Sequence, residues 1–222
     1  MEIKVGAGVL DVNQATAENN RQVFDRQGTA AINIMGSPGA GKTSVLERTI
    51  EELTGRLRLA VIEGDIYTSR DAERIEKHGI PVRQINTGGA CHLDARMVEK
   101  ALPHFDFAAL DLMVIENVGN LVCPVEFNLG EHHKVAVLSI TEGEDKPQKY
   151  PLLFREAKAV VLNKIDLLDF TDVNMENLQK DILSINPRIR IFPVSARTGE
   201  GIRTWAGWLL EITGRNREVS GR

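Results

Sequence analysis

Gly36-Ser37-Pro38-Gly39-Ala40-Gly41-Lys42-Thr43 spells G-x-x-x-x-G-K-(S/T), a pattern whose chemistry is anion binding. Its glycines let successive backbone N–H groups close on phosphate oxygens. The helix expected from Ser44 adds the positive end of its dipole. Lys42 would neutralise the terminal phosphates of a nucleoside triphosphate, and Thr43 would set its hydroxyl on a Mg²⁺ ion that keeps several waters. Farther on, Asn163-Lys164-Ile165-Asp166 follows the apolar run AVVL. A carboxylate there selects guanine: Asp166 would take the ring N–H and the exocyclic amine in two charge-assisted bonds of about 1.5–3 kcal/mol each, where adenine offers an acceptor. Ser195-Ala196, at the end of the next expected strand, is suited to give a backbone N–H to the base oxygen. GTP is the nucleotide these residues describe.

Two acids extend this chemistry to hydrolysis. Glu116-x-x-Gly119 ends an apolar run where small GTPases commonly show Asp-x-x-Gly, so Glu116 would hold Mg²⁺ or its water and Gly119 would offer its N–H to the γ-phosphate. Asp65, in Glu63-Gly64-Asp65, is the second carboxylate expected on the metal side. Asn120 stands where a water-orienting glutamine often sits, and no catalytic arginine is evident, so slow intrinsic hydrolysis is expected. The two cysteines, Cys91 and Cys123, exclude a disulfide-dense scaffold and leave one disulfide, two inert thiols or two ligands. With His92 they make a soft and borderline donor set suited to Zn(II) or Ni(II), with one position left open. Movement of 116–119 on hydrolysis would pull on Cys123, linking nucleotide state to metal affinity. His132-His133 reads as a solvated pair.

Positioning these groups requires a sheet. Apolar runs at 31–35, 57–62, 82–85, 112–116, 135–140, 159–162 and 189–193 alternate with helical stretches. AINIM, LMVI and VAVLSI are apolar on both alternating faces, as strands covered by helices on both sides must be. The fold class is therefore α/β, a P-loop NTPase with a doubly wound, mostly parallel sheet, and ligands are expected beyond the carboxyl ends of its strands. The organisation expected is a helical N-terminal extension at 1–28, one nucleotide-binding domain at 29–214 and a flexible polar tail at 215–222. The 222 residues are 42% hydrophobic and 26% charged, which excludes wholesale disorder. No apolar run approaches the roughly 20 residues of a membrane span. The N-terminus lacks an apolar signal core, so a cytoplasmic protein is expected. A net charge of −4 gives no overall reason to bind nucleic acid.

The stretches NIMGSPGAGKTSVLE, EGDIYTSRDAERI, INTGGACHLDA, ENVGNLVCP, SITEGEDKPQKYP, NKIDLL and PVSARTGEGI, between about residues 31 and 204, resemble the HypB family of hydrogenase nickel-incorporation GTPases. Cys-His-Leu-Asp-Ala together with Glu-Asn-Val-Gly-Asn-Leu-Val-Cys separates that family from its urease-accessory relatives. The resemblance implies GTP hydrolysis coupled to nickel delivery during maturation of nickel-iron hydrogenase, with Cys91, His92 and Cys123 as the metal site. It also implies a GTP-promoted homodimer, a small zinc-binding accessory partner and the hydrogenase large-subunit precursor as client. Lys146 would approach nucleotide, across the dimer in one arrangement. Residues 1–28 carry neither the cysteine motif nor the histidine-rich tract of some family members, so high-affinity nickel storage is not expected. The competing readings are a GTP-dependent dimeric assembly module with only a structural zinc, a urease-accessory-type GTPase and an ATP-using small-molecule kinase, the last disfavoured by Asp166.

Overall fold

The structure, a computed structural model, describes residues 7–66 and 70–215. Every apolar run forms a strand: β1 (Ala30–Met35), β2 (Leu59–Asp65), β3 (Val82–Asn86), β4 (Leu112–Glu116), β5 (His133–Ser139), β6 (Ala159–Asn163) and β7 (Arg190–Pro193). β2 starts later than the apolar run and continues through Glu63 and Asp65, because its ladder with β3 extends to Asp65. The order is β3-β2-β4-β1-β5-β6-β7, and every pair is parallel, so the expected mostly parallel sheet is parallel throughout. The chain winds outward in both directions from β1. The loop after β1 therefore lies at the switch point, where a crevice opens beyond the strand ends.

Nine helices among the described residues cover the sheet: α1 (Ala7–Gln27), α2 (Lys42–Leu53), α3 (Arg70–Glu76), α4 (Ala95–Ala101), α5 (Cys123–Glu126), α6 (Lys146–Lys149), α7 (Pro151–Glu156), α8 (Met175–Ile185) and α9 (Ile202–Ile212). Alternation along β1 sends Ile32 and Ile34 to one face, where they meet Val45 and Leu46 of α2 and Leu209 of α9. Ala31 points the other way, into a core with Phe24 of α1 and Val98 of α4. A third cluster sets Ala136 and Leu138 of β5 against Phe154 of α7 and Ile182 of α8. Trp205 of α9 donates its indole N–H to Thr49 Oγ1 of α2 at 2.9 Å, and its ring stacks on Trp208 at 5.3 Å.

The helix expected as an N-terminal extension is packed into the domain: Phe24 is fully buried, and Asn20 Nδ2 donates to the carbonyls of Ala95 and Leu129 at 2.8 and 3.0 Å. Residues 1–6 and, apart from Arg215, the expected tail lie outside the described residues. His132 and His133 are not the solvated pair their sequence suggests. His132 Nδ1 accepts the Ala31 N–H at 2.9 Å, its Nε2 lies 2.9 Å from Asp25 Oδ1, and the half-buried His133 ring packs 5.9 Å from Trp208. Standing at the start of β5, each ring is taken up by neighbouring structure. At the amino end of the sheet, Asp111 accepts from Arg58 N and Nη2 at 2.9 and 2.8 Å and from Arg215 Nη2 at 2.5 Å.

Candidate functional site

The turn from β1 into α2 depends on glycine where it bends most. Gly39 and Gly41 take φ of 78° and 91°, a region costly for other residues, and a Cβ on Gly41 would collide with Asn163 Nδ2. The turn delivers Lys42 and Thr43, both buried, to the first turn of α2, and Thr43 Oγ1 donates to Glu116 Oε1 at 2.8 Å. Gly119 comes so close that a Cβ there would stand 2.9 Å from Pro38 Cγ. A cavity of about 570 Å³ is lined by Gly39, Lys42, Thr43, Asp65, Glu116 and Gly119, uniting the loop and the acids expected to flank it. Thr43, Asp65 and Glu116 offer hard oxygen donors, and Glu116 Oε2 is buried without a hydrogen-bond partner, so the set fits Mg²⁺.

Two further residues of this cavity were not legible in the sequence. Glu63 is as buried as Glu116, and burial, then the neighbouring Glu116 charge, push its carboxyl well above the usual range. Glu116 is raised too, by burial, against the opposing pull of Lys42 and the Thr43 hydroxyl. Arg74 also lines the cavity; it donates to Ser44 Oγ at 3.0 Å, to Asp71 Oδ1 at 2.9 Å and to Glu47 Oε1 at 3.1 Å. Its i,i+3 spacing from Asp71 on α3 was the available signal.

A second cavity, of about 490 Å³, adjoins the first and is lined by Asn163, Lys164, Asp166 and Ala196. Lys164 is the non-glycine residue with positive φ, 66°, among those described. Its Nζ donates to Gly39 O at 2.7 Å and Asn163 Nδ2 donates to Ala40 O at 2.9 Å, binding this tetrapeptide to the phosphate loop. Ser195 serves differently from expectation. Its N–H is spent on Glu200 O at 2.9 Å, and its hydroxyl donates to Asp166 Oδ1 at 2.6 Å, orienting that carboxylate. The Ala196 N–H, the other candidate donor to a base oxygen, donates to Asn163 Oδ1 at 3.1 Å.

Cys91, His92 and Cys123 converge: one ligand atom from each lies within 4.8 Å of the others, and both thiols are free. The Cys123 thiol is pushed up by its hydrogen bond to Cys91 and by burial, and burial holds the imidazole of His92 down, favouring the neutral ring that ligates metals. The His92 ring lies 3.9 Å from that of Phe127. Two asparagines flanking Gly119 grip the loop. Asn117 Oδ1 accepts from Leu93 N at 3.0 Å, and Asn120 Nδ2 donates to Cys91 O at 3.3 Å. Asn120 therefore turns to the thiol loop, not to the phosphate cavity where a water-orienting residue was expected. Lys146 Nζ lies 4.0 Å from Glu142 Oε2 and 5.4 Å from the Tyr150 ring centre; Glu142 in turn accepts from Ser37 Oγ of the phosphate loop.

Residues 30–193 match the family described as CobW/HypB/UreG, nucleotide-binding domain. The chain is 50% identical over 217 residues to hydrogenase maturation factor HypB of Rhizobium leguminosarum bv. viciae, covering 98% of this chain and 72% of that one. It is 37% identical to hydrogenase/urease maturation factor HypB of Helicobacter pylori, covering 95% and 88%. Among solved structures, the hydrogenase maturation factor HypB of Archaeoglobus fulgidus superposes with a TM-score of 0.85 at 41% identity, over 91% of this chain and 99% of that one. HypB of Helicobacter pylori in complex with nickel superposes with a TM-score of 0.87 at 34% identity, over 95% and 99%.

Proposed function

The chain belongs to the HypB family of hydrogenase maturation factors, and from that premise we propose that it is a GTPase whose nucleotide state governs a Cys91, His92 and Cys123 site for nickel. The observation that carries the reading is the grip of Asn117 and Asn120 on the 91–93 backbone, since those residues flank the glycine proposed to meet the γ-phosphate. Gly36 to Ser44 cradle the phosphates, Lys42 neutralises charge, and Thr43, Asp65 and Glu116 would hold Mg²⁺, which would supply charge screening of the phosphates. Asn163, Lys164, Asp166 and Ala196 receive guanine. Hydrolysis releases Gly119 and the loop it adjoins, changing the geometry offered to the cargo ion. Intrinsic hydrolysis is slow, because Arg74, the arginine of this cavity among the described residues, is engaged by Ser44, Asp71 and Glu47.

Three donors, one of them the exposed Cys91, leave a coordination position open, which suits exchange of a cargo metal better than a closed structural zinc. The protein works in the cytoplasm as a GTP-promoted homodimer with a small zinc-binding accessory protein, and its client is the hydrogenase large-subunit precursor. No helix among the described residues is long and apolar enough to cross a membrane. The test is titration of Ni(II) into the full chain loaded with GDP or with a nonhydrolysable GTP analogue. Different affinities are expected; equal affinities remove the coupling. If Cys91→Ser abolishes zinc-dependent dimerisation and leaves nickel transfer intact, the structural-zinc module is the correct reading.

A further inference from the structure

The parallel register of β2 and β4 sets Glu63 directly beside Glu116. Neighbouring strands run about 4.8 Å apart, so the two side chains leave the sheet as close neighbours. Both are 2% exposed, both line the phosphate cavity, and Oε2 of each is buried without a hydrogen-bond partner. A buried carboxylate oxygen with no donor is costly, and two side by side are costlier. The cation acting on both is Lys42, which incoming phosphates would also engage. One positive charge does not balance two carboxylates and a polyphosphate. The two carboxyls also face each other within hydrogen-bond reach, which satisfies them only while they share a proton; a hydrated divalent cation satisfies both as carboxylates, since its bound waters donate to carboxylate oxygens.

Resting on the GTPase reading above, we infer that Glu63 is a positioning residue for the nucleotide's divalent cation, supplying through the cation's bound water a second buried carboxylate beside Glu116. The cation site then draws on acids from two adjacent strands. Loss of such an outer carboxylate typically weakens metal binding by about 10- to 100-fold.

The test uses the full chain loaded with GDP and titrated with Mn²⁺, with free Mn²⁺ followed by electron paramagnetic resonance. Glu63→Gln and Glu63→Met each remove the carboxylate and keep the bulk, so either serves if the other fails to fold. Both are expected to raise the Mn²⁺ dissociation constant at least about tenfold, while GDP affinity in excess chelator is not weakened. Wild-type Mn²⁺ affinity in a folded variant overturns the proposal, leaving Glu63 as a structural partner of Glu116. An equal loss of GDP affinity with and without metal also overturns it, since that reports damage to the nucleotide site as a whole. Failure of the wild-type chain to hold GDP at all would remove the GTPase reading itself, an outcome distinct from an unresponsive Glu63.

Discussion

Asp166, the carboxylate proposed to read the base, is held by one neighbour and lightly met by another: the Ser195 hydroxyl holds Oδ1 at 2.6 Å, and Oδ2 lies 3.8 Å from the exposed Arg197. Asp166→Asn turns part of that acceptor edge into a donor facing guanine donors. GTP affinity is expected to fall about a hundredfold, measured by competition with a fluorescent guanine nucleotide; unchanged affinity would mean the base is read elsewhere. Gly119→Ala drives a methyl group toward Pro38. It is expected to weaken a GTP analogue more than GDP, because the affected N–H is the one proposed to meet the γ-phosphate, and calorimetry of both nucleotides decides it. Cys123→Ser is expected to abolish Ni(II) binding without altering GDP affinity. The phosphate loop and Asn163 to Asp166 were legible because their chemistry is contiguous in the chain. Glu63 was not, because its meaning comes from Glu116, 53 positions away and one strand over. Asn117 was hidden for the same reason: Leu93, its partner, belongs to another connection.

The strands were legible because a doubly covered parallel sheet leaves unbroken apolar runs, and only their ends shifted. How α1 docks was not legible. Its attachment relies on asparagines that composition assigns to solvent: Asn13 donates to Asn128 O and accepts from Ala95 N, both at 2.8 Å, and Asn20 bridges two further carbonyls. Amid this polar stitching, Phe24 fills the core against Phe107 at 5.9 Å between ring centres. Phe24→Ala is expected to destabilise the chain by about 3–5 kcal/mol in urea unfolding. A loss below about 1 kcal/mol, typical of a surface change, would show that α1 contributes little to the fold.

Across the whole molecule the two ends of the sheet respond to pH in opposite senses. At the amino end, hydrogen bonds from Arg58 hold Asp111 well below the usual carboxylate range. The stability this contributes is present above the unfolded value of about 4 and is lost as pH falls through the folded one. At the carboxyl end, Glu63 is raised, so it favours the folded chain below the unfolded carboxyl value and ceases to do so as pH rises toward the folded one. Asp111→Asn is therefore expected to cost about 1–2 kcal/mol at pH 7, a cost that shrinks progressively only as pH falls below about 4 toward the folded value, measured by denaturant titration across the acid range; a cost that does not change with pH would rule out the ionised carboxylate as its source. Strand order, which creates this division, left no mark in the one-dimensional pattern. The stacked indoles of Trp205 and Trp208, the chain's two tryptophans, have an optical consequence. Both emitters share one environment, tied through Thr49 to the helix that begins at the phosphate loop. Native emission therefore arises from a single coupled chromophore, and a spectral shift on nucleotide loading would report movement of α2 against α9 without any label.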